Sequence, residues 1–154
     1  MIHIDGTQSD RSALISRDFG TATILMQRTK RYRRVPIGAL RAWLNPPIHL
    51  KQIRLFYSED KGLPVAFITW AFLSDEIARR WCCNPRRPFH PSEWNEGTSL
   101  WIIDFVARRG YASSVIHYAH SNMFRGHLFA RSVRHHADGS VHKVTIWRRR
   151  VPMV

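Results

Sequence analysis

Apolar runs and turn-forming clusters alternate along the chain, and their spacing predicts its elements. Thr21-Ala22-Thr23-Ile24-Leu25-Met26 is apolar enough for a buried helix or a strand, and a run of this length does not separate the two. Pro36 is placed to open a short helix over 37–44, and Pro46-Pro47 to end it. Ile53-Arg54-Leu55-Phe56-Tyr57 and the apolar run 64–72 flank the turn-rich Ser58-Glu59-Asp60-Lys61-Gly62, which is the pattern of a hairpin. Ser74, followed by Asp75 and Glu76, reads as the cap of a helix with acidic residues in its first turn. A loop over 84–98, rich in Pro, Asn, Ser and Gly, precedes the run 100–107. Gly110 and a helical stretch over 111–124 follow, and a last hairpin pairs 128–134 with 141–147 through Ala137-Asp138-Gly139-Ser140. This order predicts an α/β (α+β) fold, a mixed and largely antiparallel sheet with helices on its faces. Residues 1–18 are polar, with Gly6, Ser9, Asp10 and Ser12, and are expected to form a flexible lead-in to a single domain over 19–150.

One position breaks the pattern. Asp104 interrupts Leu100-Trp101-Ile102-Ile103-Asp104-Phe105-Val106-Ala107, which otherwise reads as a buried strand. An unpaired carboxylate is costly to bury, so Asp104 needs a partner or a function. Pairing with an arginine or a loop is one answer, and a catalytic carboxylate in a cleft is the other.

Composition adds to this picture through charge. The 154 residues carry a formal net charge of +13, so part of the surface is strongly positive and suits an acidic partner, whether nucleic acid, an anionic membrane or an acidic protein. Arg28-Thr29-Lys30-Arg31-Tyr32-Arg33-Arg34 is the densest basic segment. It reads as a solvated face, as a nucleic-acid contact with one stacking aromatic, or as a docking patch for an acidic carrier. The two cysteines, Cys82 and Cys83, are adjacent and poorly placed to bond each other, which fits a reducing cytoplasm. No apolar run approaches the ~20 residues of a membrane span, and the first residues lack a signal peptide's pattern.

Common catalytic and metal-binding signatures are missing. His117 and His120 stand three apart on an expected helix, but no HExxH motif or CxxC pair accompanies them, so no metal is expected. There is no GxSxG nucleophile elbow and no phosphate-binding glycine loop, and Cys82 and Cys83 read as half-buried packing at a helix end.

Four segments together resemble a known family: Leu44-Asn45-Pro46-Pro47-Ile48, the run 62–74 beginning Gly62-Leu63-Pro64-Val65, His90-Pro91-Ser92-Glu93-Trp94-Asn95-Glu96-Gly97, and the Asp104 run. In order and spacing they look like the RTX toxin-activating lysine acyltransferases, the haemolysin-activating family. The resemblance extends from about Phe19 to Trp147. It implies a fold similar to the GNAT acetyltransferases and a cytoplasmic enzyme that is often dimeric. It also implies transfer of a fatty acyl group from acyl-acyl carrier protein to internal lysine ε-amines of a protoxin, with no bound cofactor. The acidic carrier would meet the basic residues Arg28, Lys30, Arg31, Arg33 and Arg34.

The family's catalytic pair is a His and an Asp. The Asp falls on Asp104, whereas an ungapped alignment of Gly20 through Pro36 puts Tyr32 where the His belongs. The family's Ala-Pro-Phe-Gly becomes Ala107-Arg108-Arg109-Gly110. A lysine amine is protonated near neutrality and needs a base, and a tyrosine with an ordinary pKa of about 10 suits an acid better. Three readings follow: catalysis with Tyr32 as acid and Asp104 as base, a replacement base such as His49, or an impaired homologue that keeps a binding role. A basic nucleic-acid-binding module on the same fold is the rival from outside enzymology.

Overall fold

The structure is a computed structural model that describes residues 2–3, 11–85, 87–136, 138 and 140–148. The first apolar run is helical. Ala22, Leu25 and Met26 are its buried residues, and their three- and four-residue spacing places them on one face of α1, Arg11–Gln27. Because α1 starts at Arg11, residues 11–18 are not the lead-in that their polarity suggests. Ile15 and Phe19, four apart, already pack against the core, and Ser12 and Ser16 occupy other positions of the same helix. Ile2–His3 form a two-residue strand, β1, against the sheet edge, while the remaining positions of that segment, 1 and 4–10, lie outside the described residues.

The second helix also departs from expectation. Pro36 precedes it as anticipated, but α2 runs Ile37–His49, through Pro46 and Pro47 rather than stopping before them. A proline removes a helical N–H and ordinarily costs about 3 kcal/mol in a helix interior. Here both rings are buried, and the turn beyond is tied back by Leu50 N donating to Pro46 O (2.9 Å) and Gln52 N to Pro47 O (2.7 Å). Lys51, at φ 56°, then ends the helical path.

The sheet combines β1 with five long strands: β2 Ile53–Ser58, β3 Pro64–Leu73, β4 Ser99–Ala107, β5 Phe129–His135 and β6 Val141–Arg148. They lie in sequence order, and every neighbouring pair is antiparallel except β4 and β5. That parallel step crosses through α4, Ala112–Tyr118, and a following π-helical turn, Ala119–Met123, which together replace the single helix expected over 111–124. α3, Asp75–Cys83, is capped as predicted by Ser74, whose side chain accepts from Ile77 N at 3.4 Å. The loop after α3 contains a 3-10 turn, Pro91–Asn95, and Arg86, Ala137, Gly139, Arg149 and Arg150 fall outside the described residues. The fold is thus the mixed α/β, largely antiparallel sheet flanked by helices that the sequence suggests.

Helices cover both faces. α1 and α2 pack with Leu55, Phe67 and Val106 on one face, and α3 joins Ala71, Leu73, Trp101 and Ile103 farther along that face. α4 covers the other face with Ile68, Leu100 and Ile102. Two local features set the site. β4 and β5 are paired only at Trp101↔Arg131 and Ile102↔Ser132. One residue later, β4 is bulged: Trp70 pairs with Ile102 and Thr69 with Asp104, leaving Ile103 without a partner. Strict alternation would turn Asp104 toward α4 with Leu100 and Ile102. The extra residue instead gives Ile103 and Asp104 the same face, beneath α1 and α2.

Candidate active site

Four elements converge on Asp104. The connection between α1 and α2 is wound tightly, with Arg33 N donating to Thr29 O (3.1 Å) and Val35 N to Tyr32 O (2.9 Å), and this turn drives Tyr32 into the core. α2 supplies Trp43, whose ring meets Tyr32 edge-on at 6.4 Å between centroids. β3 supplies Thr69 and β4 the carboxylate itself, both fully buried at 0% exposure.

The Tyr32 hydroxyl donates to Asp104 Oδ1. The Trp43 indole N–H reaches both carboxylate oxygens, at 3.1 and 3.0 Å, and Thr69 Oγ1 donates to Oδ2 at 2.7 Å while accepting from Asp104 N at 3.0 Å. Three donors therefore satisfy a carboxylate that has no contact with water, each such bond to a charged group contributing about 1.5–3 kcal/mol. Burial first, and the adjacent Asp104 charge second, hold the Tyr32 phenol well above its ordinary value of 10.0, while Arg31 pulls the other way. Tyr32 keeps its proton across the physiological range.

Sequence reasoning placed Tyr32 and Asp104 in one site, and the structure joins them directly. It missed Trp43 and Thr69. Thr69 carried a signal, a hydroxyl inside the apolar run 64–72, whereas Trp43 carried none. Asp104 is not open to act as the base, because its carboxylate is closed off beneath Tyr32 and Trp43. His49 is not brought to the site: it is exposed at the end of α2, its Nδ1 within 2.8 Å of Asn45 O.

Above the buried pair lies a cavity of about 500 Å³, with Tyr32 and Trp43 in its wall beside Arg31, Arg34, His135 and Asp138. A second, of about 540 Å³, occupies the wedge where β4 and β5 part, between Ile103 and Phe105 on one side and Val133 and His135 on the other. Arg31 and His135 belong to the walls of both. The basic segment is consequently divided. Arg31 and Arg34 border the Tyr32 cavity, and the Arg31 guanidinium lies 4.7 Å from the Tyr32 ring centroid. Arg28 lies in a different recess with Arg108 and Arg109, and Lys30 and Arg33 are set apart from both cavities.

Among the described residues no group of three or more His, Cys, Asp or Glu side chains could hold a metal ion, His117 and His120 included. Cys82 and Cys83 are unbonded, one half-buried and the other exposed. No described helix is long and apolar enough to cross a membrane.

Comparison with known proteins places the chain among named relatives. Residues 13–148 match the RTX toxin acyltransferase family. The chain is 29% identical over 104 residues to the lysine-acyltransferase RtxC of Vibrio cholerae, covering 68% of this chain and 67% of that one. It is 34% identical over 67 residues to a leukotoxin-activating lysine-acyltransferase of Mannheimia haemolytica, covering 44% and 38%. An uncharacterised protein of Synechocystis is 25% identical over 120 residues, covering 78% and 80%.

Proposed function

The chain belongs to the RTX toxin acyltransferase family, and from that premise we propose that it transfers a fatty acyl group from acyl-acyl carrier protein to lysine ε-amines of an RTX-type protoxin, in the cytoplasm and without a bound cofactor. The observation that carries this reading is the buried Asp104 carboxylate, held by Tyr32, Trp43 and Thr69 at the floor of a cleft. In the reaction the lysine nitrogen attacks the thioester carbonyl carbon. A C–N bond forms, the C–S bond breaks with its electrons on sulfur, and the nitrogen loses a proton. Positive charge develops on the attacking nitrogen, and Asp104, a fixed negative charge behind Tyr32, favours it. Tyr32 keeps its proton and commits it to a hydrogen bond with Asp104, and because its side chain lines the cleft its oxygen can still accept from the amine and orient it. The basic residues Arg31 and Arg34 at the rim suit the acidic carrier, with Arg28, Lys30 and Arg33 extending the positive surface.

Tyr32 also supports a second reading. A histidine would offer one nitrogen to Asp104 and a second to the substrate, whereas a tyrosine has one oxygen for both. A homologue that binds carrier or protoxin without turnover is the outcome if that difference disables it. The test supplies long-chain acyl-carrier protein and a lysine-bearing protoxin fragment to wild type, Tyr32→Phe, Tyr32→His and Asp104→Asn, with acyl-lysine measured by mass spectrometry. We expect transfer by wild type and losses of about 100-fold or more for Tyr32→Phe and Asp104→Asn, the scale of removing one preorganised donor or charge. No transfer by wild type together with transfer by Tyr32→His would sink the enzymatic reading in favour of the binding one. A gel shift across salt concentrations compares duplex DNA with carrier, and preference for DNA at physiological salt would favour the nucleic-acid module.

A further inference from the structure

The geometry points to His135 as the proton acceptor of this site. The inference rests on the acyl-transfer reading and adds to it the residue that takes the lysine proton.

The buried pair leaves that role vacant. Both oxygens of Asp104 are engaged by three donors, and the carboxylate has no surface through which a substrate amine could approach. Tyr32 lines the cleft but retains its proton, because its phenol is held high and its hydroxyl donates to Asp104. The acceptor must therefore stand in another wall of the same cavity.

Apart from Tyr32, the ionisable groups lining that cavity among the described residues are Arg31, Arg34, His135 and Asp138. Arginines stay protonated and cannot accept. Asp138 is exposed and already receives Ser140 N at 2.8 Å and Ser140 Oγ at 2.6 Å. His135 remains, and an imidazole is the side chain whose ordinary range suits proton transfer near neutrality.

Its setting is specific. His135 is the last residue of β5, half-buried, at a register shift: Arg134 pairs with Lys143 and His135 with Val141, so His142 on β6 has no opposite number. Such irregularities re-aim side chains near functional sites, as the Ile103 bulge does for Asp104 on β4. His135 also borders the wedge between β4 and β5, so it stands where the two cavities share a wall. No other described histidine lines the Tyr32 cavity: His120 lines only the wedge, stacked on Trp147 at 5.9 Å.

The lysine enters as its neutral amine, its ammonium proton having been released to solvent, and from there the step balances without any further reactant. His135 takes the proton from the lysine nitrogen as the C–N bond forms. The C–S bond breaks with its electron pair on sulfur, and the imidazolium returns the proton to the thiolate. The products are an acyl-lysine amide, the free carrier thiol and a neutral His135. Tyr32 and Asp104 orient and stabilise the amine while the proton moves elsewhere.

The test uses the full chain, long-chain acyl-carrier protein and the lysine-bearing protoxin fragment. His135→Ala and His135→Gln are compared with wild type, and circular dichroism and thermal melts confirm that they fold. Both should lose about 100-fold in kcat, the scale of one general base, with carrier affinity retained. Added imidazole should restore part of the His135→Ala rate, which a merely structural role for the ring would not allow. Either folded variant keeping more than half the wild-type rate would overturn the inference, as would a folded His135→Ala that imidazole cannot rescue. Wild type that transfers nothing from any donor removes the acyltransferase reading itself, an outcome distinct from active wild type with an unaffected His135 variant.

Discussion

Asp104 spends its whole hydrogen-bonding capacity on its neighbours, and this makes Tyr32 a stability element as well as a wall of the cleft. The folded state holds the Tyr32 phenol above its ordinary value, mainly by burial and then by the Asp104 charge. A tyrosine raised in this way contributes stability that is fully present below about pH 10 and is lost as pH climbs toward the folded value, because only the unfolded chain ionises in that window. Urea unfolding from pH 8 to 11 should therefore show wild type losing up to about 1.4 kcal/mol per pH unit above 10, relative to Tyr32→Phe. A parallel slope for the two proteins would mean that Tyr32 ionises as freely folded as unfolded. At this scale the sequence was partly legible. Asp104 announced itself as the one charge in an apolar run, and Tyr32 was found by its place in a family pattern. Trp43 and His135 gave no such signal, since an aromatic on a helix and one histidine among nine acquire meaning only when distant segments meet.

At the scale of elements, close approach rather than propensity decides several outcomes. Gly97 ends the long loop against the last residues of β3, where its N–H donates to Phe72 O at 2.9 Å. A Cβ there would stand 2.0 Å from Leu73 C and 2.1 Å from Ser74 N, both backbone atoms that cannot swing aside. Gly97→Ala should cost about 1–3 kcal/mol or more in denaturant unfolding, as overpacking a closed region does. An unchanged midpoint would show that the loop can lift away. The hairpin β2–β3, the cap at Ser74 and the β4 run could be read in advance because alternation and turn chemistry act locally. The extension of α2 through Pro46 and Pro47, and the start of α1 at Arg11, could not. Both depend on burial against the sheet, which offsets poor local propensity. The Ile103 bulge was equally silent, since a run of apolar residues reads the same with or without one extra position.

Across the whole molecule, charge has the longest reach. A formal net charge of +13 should steer an acidic carrier to the cleft, with Arg31 and Arg34 at its rim. The apparent KM for acyl-carrier protein should therefore rise steeply as ionic strength passes about 0.1 M, where screening acts within about 10 Å, while kcat changes little. A KM independent of salt would assign the basic surface to another partner. The seam between β4 and β5 carries a different consequence. Only two register positions join the β5–β6 hairpin to the rest of the sheet, against eight between β3 and β4. Cooperative units of a fold divide where such ladders are thinnest. The hairpin bearing His135 is therefore the part that can breathe away from the α1–α2 side, widening the mouth of the cleft while the floor around Asp104 stays sealed.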